Sequence, residues 1–228
     1  MINLSNYQEA LEILLKYKNE KKAAFYKKII NDPYLEYIGL DAKSMNEVIK
    51  KYSLFSGPLD LYYELTALIL WSNLNNSLDE QTTLNYVLSF IPYVNNWAFA
   101  DCLLGAKIKN ISYTELFPQI KHLRYSTHIF ERRLFYTSMM IYKEEPTIIK
   151  ELLLLIQDDQ EYYVQMAIAW TISEFYHTLK KEIIEFIINS NLSSTIKLKA
   201  IQKIIDSNKT TKQEKENIKD LRKAIKKG

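Results

Sequence analysis

Apolar residues recur three and four positions apart along most of the chain, the spacing that places them on one side of a helix. Asn6–Lys18 is the first stretch to show this spacing. Asp32-Pro33 marks a break after the second stretch, since the residue before a proline avoids the helical region. Gly57-Pro58 is the clearest break in the first half. The pattern predicts about a dozen helices joined by short loops.

Local signals set the expected ends of these helices. Asp41 or Ser44 is expected to cap the third helix, after a turn at Tyr37–Asp41, and Asp158 with Asp159 is expected to cap a helix near the middle of the second half. After Asn6–Lys18, the predicted helices are Lys21–Ile30, a helix ending at Tyr52, Leu59–Leu74, Asp79–Phe90, Tyr113–His122, His128–Tyr142, Pro146–Ile156, Tyr162–His177, Glu182–Ile188, Ser194–Asp206 and a basic terminal helix or tail at Lys209–Lys227.

The order of these helices predicts the fold. Tyr113–Tyr142 and Pro146–His177 follow each other at a spacing of ~35 residues, which is typical of helical solenoid repeats. Only 4 glycines and 5 prolines are present, too few for many hairpin turns, and this also favours an all-α fold. We expect one all-α domain over residues 1–228, a curved, solenoid-like stack of antiparallel helix pairs with a concave face. A compact bundle is the alternative.

Charge and cysteine content narrow the class of protein without deciding its partner. The formal net charge of +3 permits nucleic-acid binding but does not argue for it, because strongly basic binders carry a larger excess. The single Cys102 excludes an internal disulfide and indicates a reducing compartment. With no leader peptide after Met1 and no apolar run of membrane-spanning length, we expect a soluble, cytoplasmic chain.

No metal or cofactor site is predicted. The chain has three histidines and one cysteine, without a His-x-x-x-His pair, so zinc has no obvious ligand set. Glu174 and His177 form one Glu-x-x-His, whereas a di-iron bundle needs two copies and two further glutamates. The absence of a glycine-rich phosphate loop removes support for nucleotide hydrolysis.

The stretch Asn95–Cys102 contains the most informative pair of residues. Asn95 or Asn96 can cap a helix here, and no breaker follows for several residues. Trp97 and Asp101 are four residues apart, so they share one side of that helix. Asp101 sits in an apolar run, where a carboxylate is costly unless it has a partner or borders a polar cleft. From this stretch alone, a packed tryptophan beside a solvent-exposed aspartate is the simpler interpretation.

Three segments in a fixed order add a family resemblance. They are Asn95–Asp101 (NNWAFAD), Phe130–Leu134 (FERRL) and Glu161–Trp170 (EYYVQMAIAW). Together they resemble the pattern of the AlkD-like family of DNA alkylation repair proteins, which is built from HEAT-like helix pairs. Tyr37–Leu40 (YIGL) and Ala200–Lys203 (AIQK) resemble further family segments, so the resemblance spans roughly residues 25 to 206.

The resemblance implies a function and a set of site residues. Glycosylases of this family excise N3- and N7-alkylated purines from DNA without a metal. By position, Asp101 matches the catalytic carboxylate, and Trp97 and Trp170 match two aromatics that line the cleft next to the lesion. Arg133 matches an arginine that contacts the DNA backbone, although a one-residue shift in register assigns that role to Arg132. The implied partner is alkylated duplex DNA, bound by a monomer.

The sequence departs from the family at two places. After Gly39, where active members carry arginines, it has Lys43-Ser44-Met45-Asn46, and three positions after Trp170 it has Ser173 in place of a basic residue. The remaining phosphate-contact candidates are Arg132, Lys43, Lys50, Lys51, Lys107 and Lys109. Simple solvent exposure also explains each of these lysines. The departures keep open an alternative function, a non-catalytic HEAT-like module that binds branched or other DNA structures, or a protein partner.

Overall fold

The computed structural model describes residues 2–3, 7–30, 32–53, 63–64, 66–67, 79–102 and 111–225. The helices in these residues are α1 (Tyr7–Leu15), α2 (Glu20–Ile30), α3 (Ala42–Lys51), α4 (Glu80–Phe90), α5 (Trp97–Cys102), α6 (Tyr113–Ile120), α7 (Ile129–Ser138), α8 (Pro146–Leu153), α9 (Tyr162–Tyr176), α10 (Lys180–Asn189), α11 (Ser194–Asp206) and α12 (Lys212–Ile225). The predicted all-α class is confirmed.

The described residues also contain two short strands, and the chain divides into two units. The strands β1 (Ile2–Asn3) and β2 (Tyr52–Ser53) pair in parallel over two residues each. The chain divides into two compact units, Met1–Ser112 and Tyr113–Gly228. The first unit contains α1 to α5, and the second contains α6 to α12.

Helix boundaries follow the prediction where a strong local signal exists. Helix α11 begins and ends at the predicted residues. The predicted helix Asp79–Phe90 is α4, and Asp79 caps it, because its side chain accepts a hydrogen bond from Thr82 N at 2.7 Å. Asp41 caps α3 in the same way through Ser44 N at 2.8 Å. Side chains of this type satisfy N–H groups that the first turn of a helix leaves without partners.

Some predicted features fall on residues that the structure does not describe. The predicted break at Gly57-Pro58 lies outside the described residues. Most of the predicted helix Leu59–Leu74 does too, although residues 63–64 and 66–67 of that stretch are helical. The sequence also predicts a short link, Lys107–Asn110, before α6, and this link lies outside them too.

Two of the predicted helices end in 3-10 turns. Helix α6 ends at Ile120 and continues as a 3-10 segment over Lys121–Tyr125. Helix α7 ends at Ser138 and continues as a 3-10 segment over Met139–Tyr142. Such tighter turns are common at the end of a helix because they give partners to some of its last carbonyl groups.

The predicted capping of α9 by Asp158 and Asp159 is wrong. Glu161 occupies the capping position, and its side chain makes no capping hydrogen bond. The carboxylate of Asp159 instead accepts from the backbone N–H of Glu161 at 2.8 Å and from the guanidinium of Arg132. The long-range partner on α7 draws this carboxylate away from the first turn of α9.

The predicted turn between α2 and α3 is held by a buried carboxylate from a distant part of the first unit. Glu64 is 1% exposed. It accepts hydrogen bonds from the backbone N–H groups of Ile38 at 2.9 Å, Gly39 at 2.6 Å and Leu40 at 3.3 Å. The carbonyl of Ile38 in turn accepts from Asn19 N at 3.0 Å, just before α2. Side chain and backbone together fix the path of the chain into α3.

Aromatic rings tie α5 to the rest of the first unit. Phe99 is 1% exposed, stacks on Tyr63 with ring centroids 5.3 Å apart, and meets the edge of Phe90 at 6.1 Å. Buried aromatic pairs of this kind contribute about 0.5–1.5 kcal/mol beyond their area. The short α5 is therefore anchored by its buried side.

The second unit is built from two interleaved series of helices. One series begins at Tyr113, Pro146, Lys180 and Lys212, and the other begins at Ile129, Tyr162 and Ser194. Successive members of each series start 32 to 34 residues apart. Helix α9 packs against α7 on one side and α11 on the other. This is the solenoid-like repeat that the spacing of ~35 residues predicts.

Candidate functional site

Trp97 and Asp101 lie one turn apart on the partly exposed side of α5. Asn96 caps this helix as predicted, because its Oδ1 accepts a hydrogen bond from Phe99 N at 3.0 Å. The intervening Ala98–Ala100 are all buried. The helix therefore buries its apolar side and leaves the tryptophan and the carboxylate on the side that solvent reaches.

The indole of Trp97 also joins two helices. Its Nε1 donates a hydrogen bond to the carbonyl of Ile29 at 2.9 Å, in the last turn of α2. Carbonyl groups in the last turn of a helix have no partner within that helix. This contact fixes the orientation of the ring and the position of α5 relative to α2.

Arg132 is occupied within the second unit. Its Nε and Nη2 donate to the two carboxylate oxygens of Asp159 at 2.8 and 3.2 Å, and its Nη1 donates to Ser126 O at 2.8 Å. The side chains of Arg132 and Asp159 are 15% and 11% exposed. A forked pair of this kind is geometrically specific, and it ties α7 to the loop before α9.

Arg133 is also directed into the second unit. The residue is 7% exposed, and its Nη1 donates to the backbone carbonyl of Tyr163 at 2.7 Å. The ring of Tyr163 packs against Phe130 with centroids 5.3 Å apart. Arg133 thus belongs to the contact between α7 and α9, and its predicted contact with DNA stays a prediction.

Trp170 lies on a partly exposed stripe along α9. Tyr162 is 60% exposed, and Met166 and Trp170 follow at intervals of one turn, both partly exposed. From α11, the ammonium group of Lys203 lies 5.7 Å from the centroid of the Trp170 ring. Ser173 is 5% exposed and its hydroxyl donates to Trp170 O at 2.7 Å, so position 173 faces the interior.

The other predicted phosphate contacts receive uneven support. Lys43 is exposed on α3. The backbone of Lys50 and Lys51 lies in α3, but their side chains are outside the described residues. Lys107 and Lys109 lie wholly outside the described residues. All five lysines stay predictions.

Residues 10–204 match the sequence family described as DNA alkylation repair enzyme. The chain belongs to this DNA alkylation repair family. The match runs from α1 into α11 and contains Trp97, Asp101, Arg133 and Trp170. No curated protein matches the sequence significantly. The protein is therefore a DNA alkylation repair protein, and the resemblance to the AlkD-like proteins is confirmed at the level of this family.

Glu174 and His177, the Glu-x-x-His pair of the sequence, each have a hydrogen-bond partner elsewhere in the second unit. Glu174 accepts from Lys143 Nζ at 2.7 Å, and His177 Nε2 lies 3.1 Å from Ser207 Oγ. No group of three or more His, Cys, Asp and Glu side chains that could hold a metal ion occurs among the described residues. No helix in the same residues is long and apolar enough to cross a membrane.

Three residues that shape these sites were not found from the sequence. Asp159 was assigned to a cap, and Lys203 was not connected with Trp170. Glu64 had a usable signal, since it is a carboxylate in an apolar stretch, the same feature that drew attention to Asp101. A buried carboxylate needs a partner, so the same reasoning applies to both residues.

The Arg132–Asp159 pair predicts a measurable coupling in this family member. Arg132→Ala should lower the free energy of unfolding by about 2–3 kcal/mol, because it leaves a largely buried carboxylate without its main partner. In a double-mutant cycle with Asp159→Ala, urea unfolding should give a coupling of about 1–2 kcal/mol. The exposed pair Lys181–Glu185, at 4.0 Å, is the control, with a coupling below about 0.5 kcal/mol. Additive effects of Arg132→Ala and Asp159→Ala would contradict the assignment.

Proposed function

We propose that this DNA alkylation repair protein is a metal-independent DNA glycosylase that excises cationic N3- and N7-alkylpurines. One observation supports it most. Within the family match, solvent reaches Trp97 and Asp101 on one side of α5, while Ala98–Ala100 between them are buried. The spacing of four residues fixes the shared side, and the structure adds that solvent reaches both side chains there. In this proposal, Asp101 is the catalytic residue.

The chemistry suits a carboxylate beside an aromatic ring. An alkylated purine is cationic, and cleavage of its glycosidic bond builds positive charge on the sugar. The carboxylate of Asp101 stabilises that oxocarbenium-like charge and orients the attacking water. The face of Trp97 attracts the cationic base, by about 0.5–2 kcal/mol, and Trp170 is proposed as a second aromatic contact on the strength of the family resemblance alone. The hydrogen bond from Trp97 to Ile29 O keeps its ring in one orientation, so little ordering remains for the substrate to induce.

The second unit supplies one part of the proposed DNA contact. Its repeated helix pairs are taken as HEAT-like, with Arg133 as the arginine that contacts the DNA backbone. Arg133 is kept in that role by its position in the family resemblance, since both Arg132 and Arg133 donate hydrogen bonds within the protein. Lys43, Lys50, Lys51, Lys107 and Lys109 are further proposed contacts with phosphates.

The test compares the wild-type protein with Asp101→Asn on alkylated duplex DNA. The wild type should release 7-methylguanine or 3-methyladenine above the spontaneous rate, and Asp101→Asn should lower that rate by about 10²–10³-fold, because the amide keeps the shape and removes the charge. Released bases are quantified by liquid chromatography. Asp220→Asn, on the exposed part of α12, is the matched control and should keep the wild-type rate. A wild type that releases nothing above background would end the glycosylase proposal.

A second function stays in consideration because both candidate arginines are engaged within the protein. Arg132 pairs with Asp159. Arg133 is 7% exposed and donates a hydrogen bond to Tyr163 O. Arginines that are engaged within the protein leave fewer cationic groups for DNA phosphates. This favours a non-catalytic module that binds branched DNA or a protein partner. Gel-shift titrations of duplex, branched and single-stranded DNA at two salt concentrations separate these functions. Binding to branched DNA without base release supports the DNA-binding module, and no binding to any DNA supports a protein partner.

A further inference from the structure

An aromatic and apolar stripe on α9 lies beside a row of lysines on α11. Tyr162, Met166 and Trp170 form the stripe, at intervals of one turn, while the residues between them are mostly buried. Lys203 places its ammonium group 5.7 Å from the Trp170 ring centroid. Lys199 is exposed and lies four residues earlier on α11, which puts it on the same side of that helix.

The position of Lys203 differs from that of an ordinary solvated lysine. An ammonium group within about 6 Å of a ring centroid is attracted to the ring face. This attraction favours rotamers of Lys203 that keep its ammonium group beside the stripe. A phosphate that binds there meets a cation that is already positioned.

The carboxylate one turn beyond Trp170 on α9 is paired with a cation, so it opposes an anion beside Trp170 only weakly. Glu174 is one turn beyond Trp170, and its carboxylate pairs with Lys143 Nζ at 2.7 Å. Burial alone would raise the pKa of Glu174, but the hydrogen bond and charge of Lys143 hold that pKa below its usual value. Its negative charge is thus balanced by a neighbouring cation. Ser173 faces the interior, so the cation at Trp170 comes from α11.

We propose that Lys203 binds a backbone phosphate of DNA beside Trp170, and that Tyr162, Met166 and Trp170 form the surface against which that nucleotide lies. Aromatic side chains flanked by cations suit nucleic acid because bases or sugars contact the rings while phosphates contact the cations. The proposal rests on DNA as the partner, which both DNA-binding forms of the proposed function share. It does not depend on base excision.

The test is the salt dependence of binding to an unmodified, fluorescently labelled DNA duplex. Lys203→Met keeps the apolar stem against Trp170 and removes the charge. Loss of one phosphate contact should reduce the slope of log K against log salt by about 0.9. Between 50 and 200 mM salt, the affinity of Lys203→Met should therefore fall about 3.5-fold less than that of the wild type. Lys203→Arg should keep the wild-type slope, because it retains the positive charge.

The control variant is Lys181→Gln, whose lysine is 87% exposed on α10, outside the series that contains α9 and α11. It should bind with the wild-type slope. Circular dichroism checks that all variants fold. A Lys203→Met slope equal to that of the wild type overturns the assignment of Lys203 while leaving DNA binding intact. Absence of DNA binding by the wild type overturns both, whereas normal binding without base release removes the glycosylase function alone.

Discussion

Glu64→Ala is expected to lower the free energy of unfolding of the first unit by about 4 kcal/mol or more. The substitution leaves the N–H groups of Ile38, Gly39 and Leu40 without an acceptor in a site that is almost closed to water. Each buried donor left unsatisfied costs about 1–3 kcal/mol. Burial raises the pKa of Glu64, and its backbone N–H donors oppose that rise, so the donors offset part of the cost of holding a carboxylate here.

Two further variants define this prediction. Glu64→Gln keeps one carbonyl oxygen but turns N–H groups towards backbone donors, so it should fall between alanine and the wild type. Glu47→Ala, at an exposed position on α3, is the control and should cost less than about 0.5 kcal/mol. Urea unfolding in a Trp170→Phe background follows the first unit, because the two remaining tryptophans, Trp71 and Trp97, both belong to it. Equal stabilities of Glu64→Ala and Glu47→Ala would contradict the role of Glu64.

Glu64 also illustrates which parts of the fold the sequence predicts. Ends of helices set by a nearby side chain were predictable: Asp41 caps α3 as expected, and α4 begins where predicted, capped by Asp79, since both contacts span only three residues. Glu64 reaches the backbone of Ile38 across 26 residues, and Arg132 reaches Asp159 across 27. Hydrophobic periodicity shows which residues share one side of a helix, but it does not show which residues on other elements they contact.

In the candidate site too, relations within one helix were predictable and contacts between helices were not. The shared side of Trp97 and Asp101 followed from their spacing of four residues, because a helix fixes that relation whatever surrounds it. The internal partners of Arg132 and Arg133 depended on packing: adjacent positions on α7 point in different directions, and one meets Asp159 while the other meets Tyr163 O. The contact of Lys203 with Trp170 joins two helices of one series, so it required their side-by-side packing to be known.

Gly39→Ala is expected to destabilise the first unit by about 3 kcal/mol. Gly39 has a φ of +88°, a conformation that costs residues with a Cβ about 1–2 kcal/mol. A Cβ there would also collide with the carbonyl oxygen of Asn19 and lie 2.6 Å from Ala23 N. These two backbone atoms form the first hydrogen bond of α2, at 2.9 Å, so neither can move without loosening that helix.

Gly39→Asn separates the two causes of this expected loss. Asparagine tolerates a positive φ better than alanine, but it brings the same Cβ towards Asn19 and Ala23. If the collision dominates, both variants should be destabilised to within about 1 kcal/mol of each other in urea unfolding, and Lys43→Ala, at an exposed position on α3, should match the wild type. Recovery of most of the stability in Gly39→Asn would assign the loss to the backbone angle. Wild-type stability in Gly39→Ala would contradict the close approach of this turn to α2, and with it the way the first unit places α3.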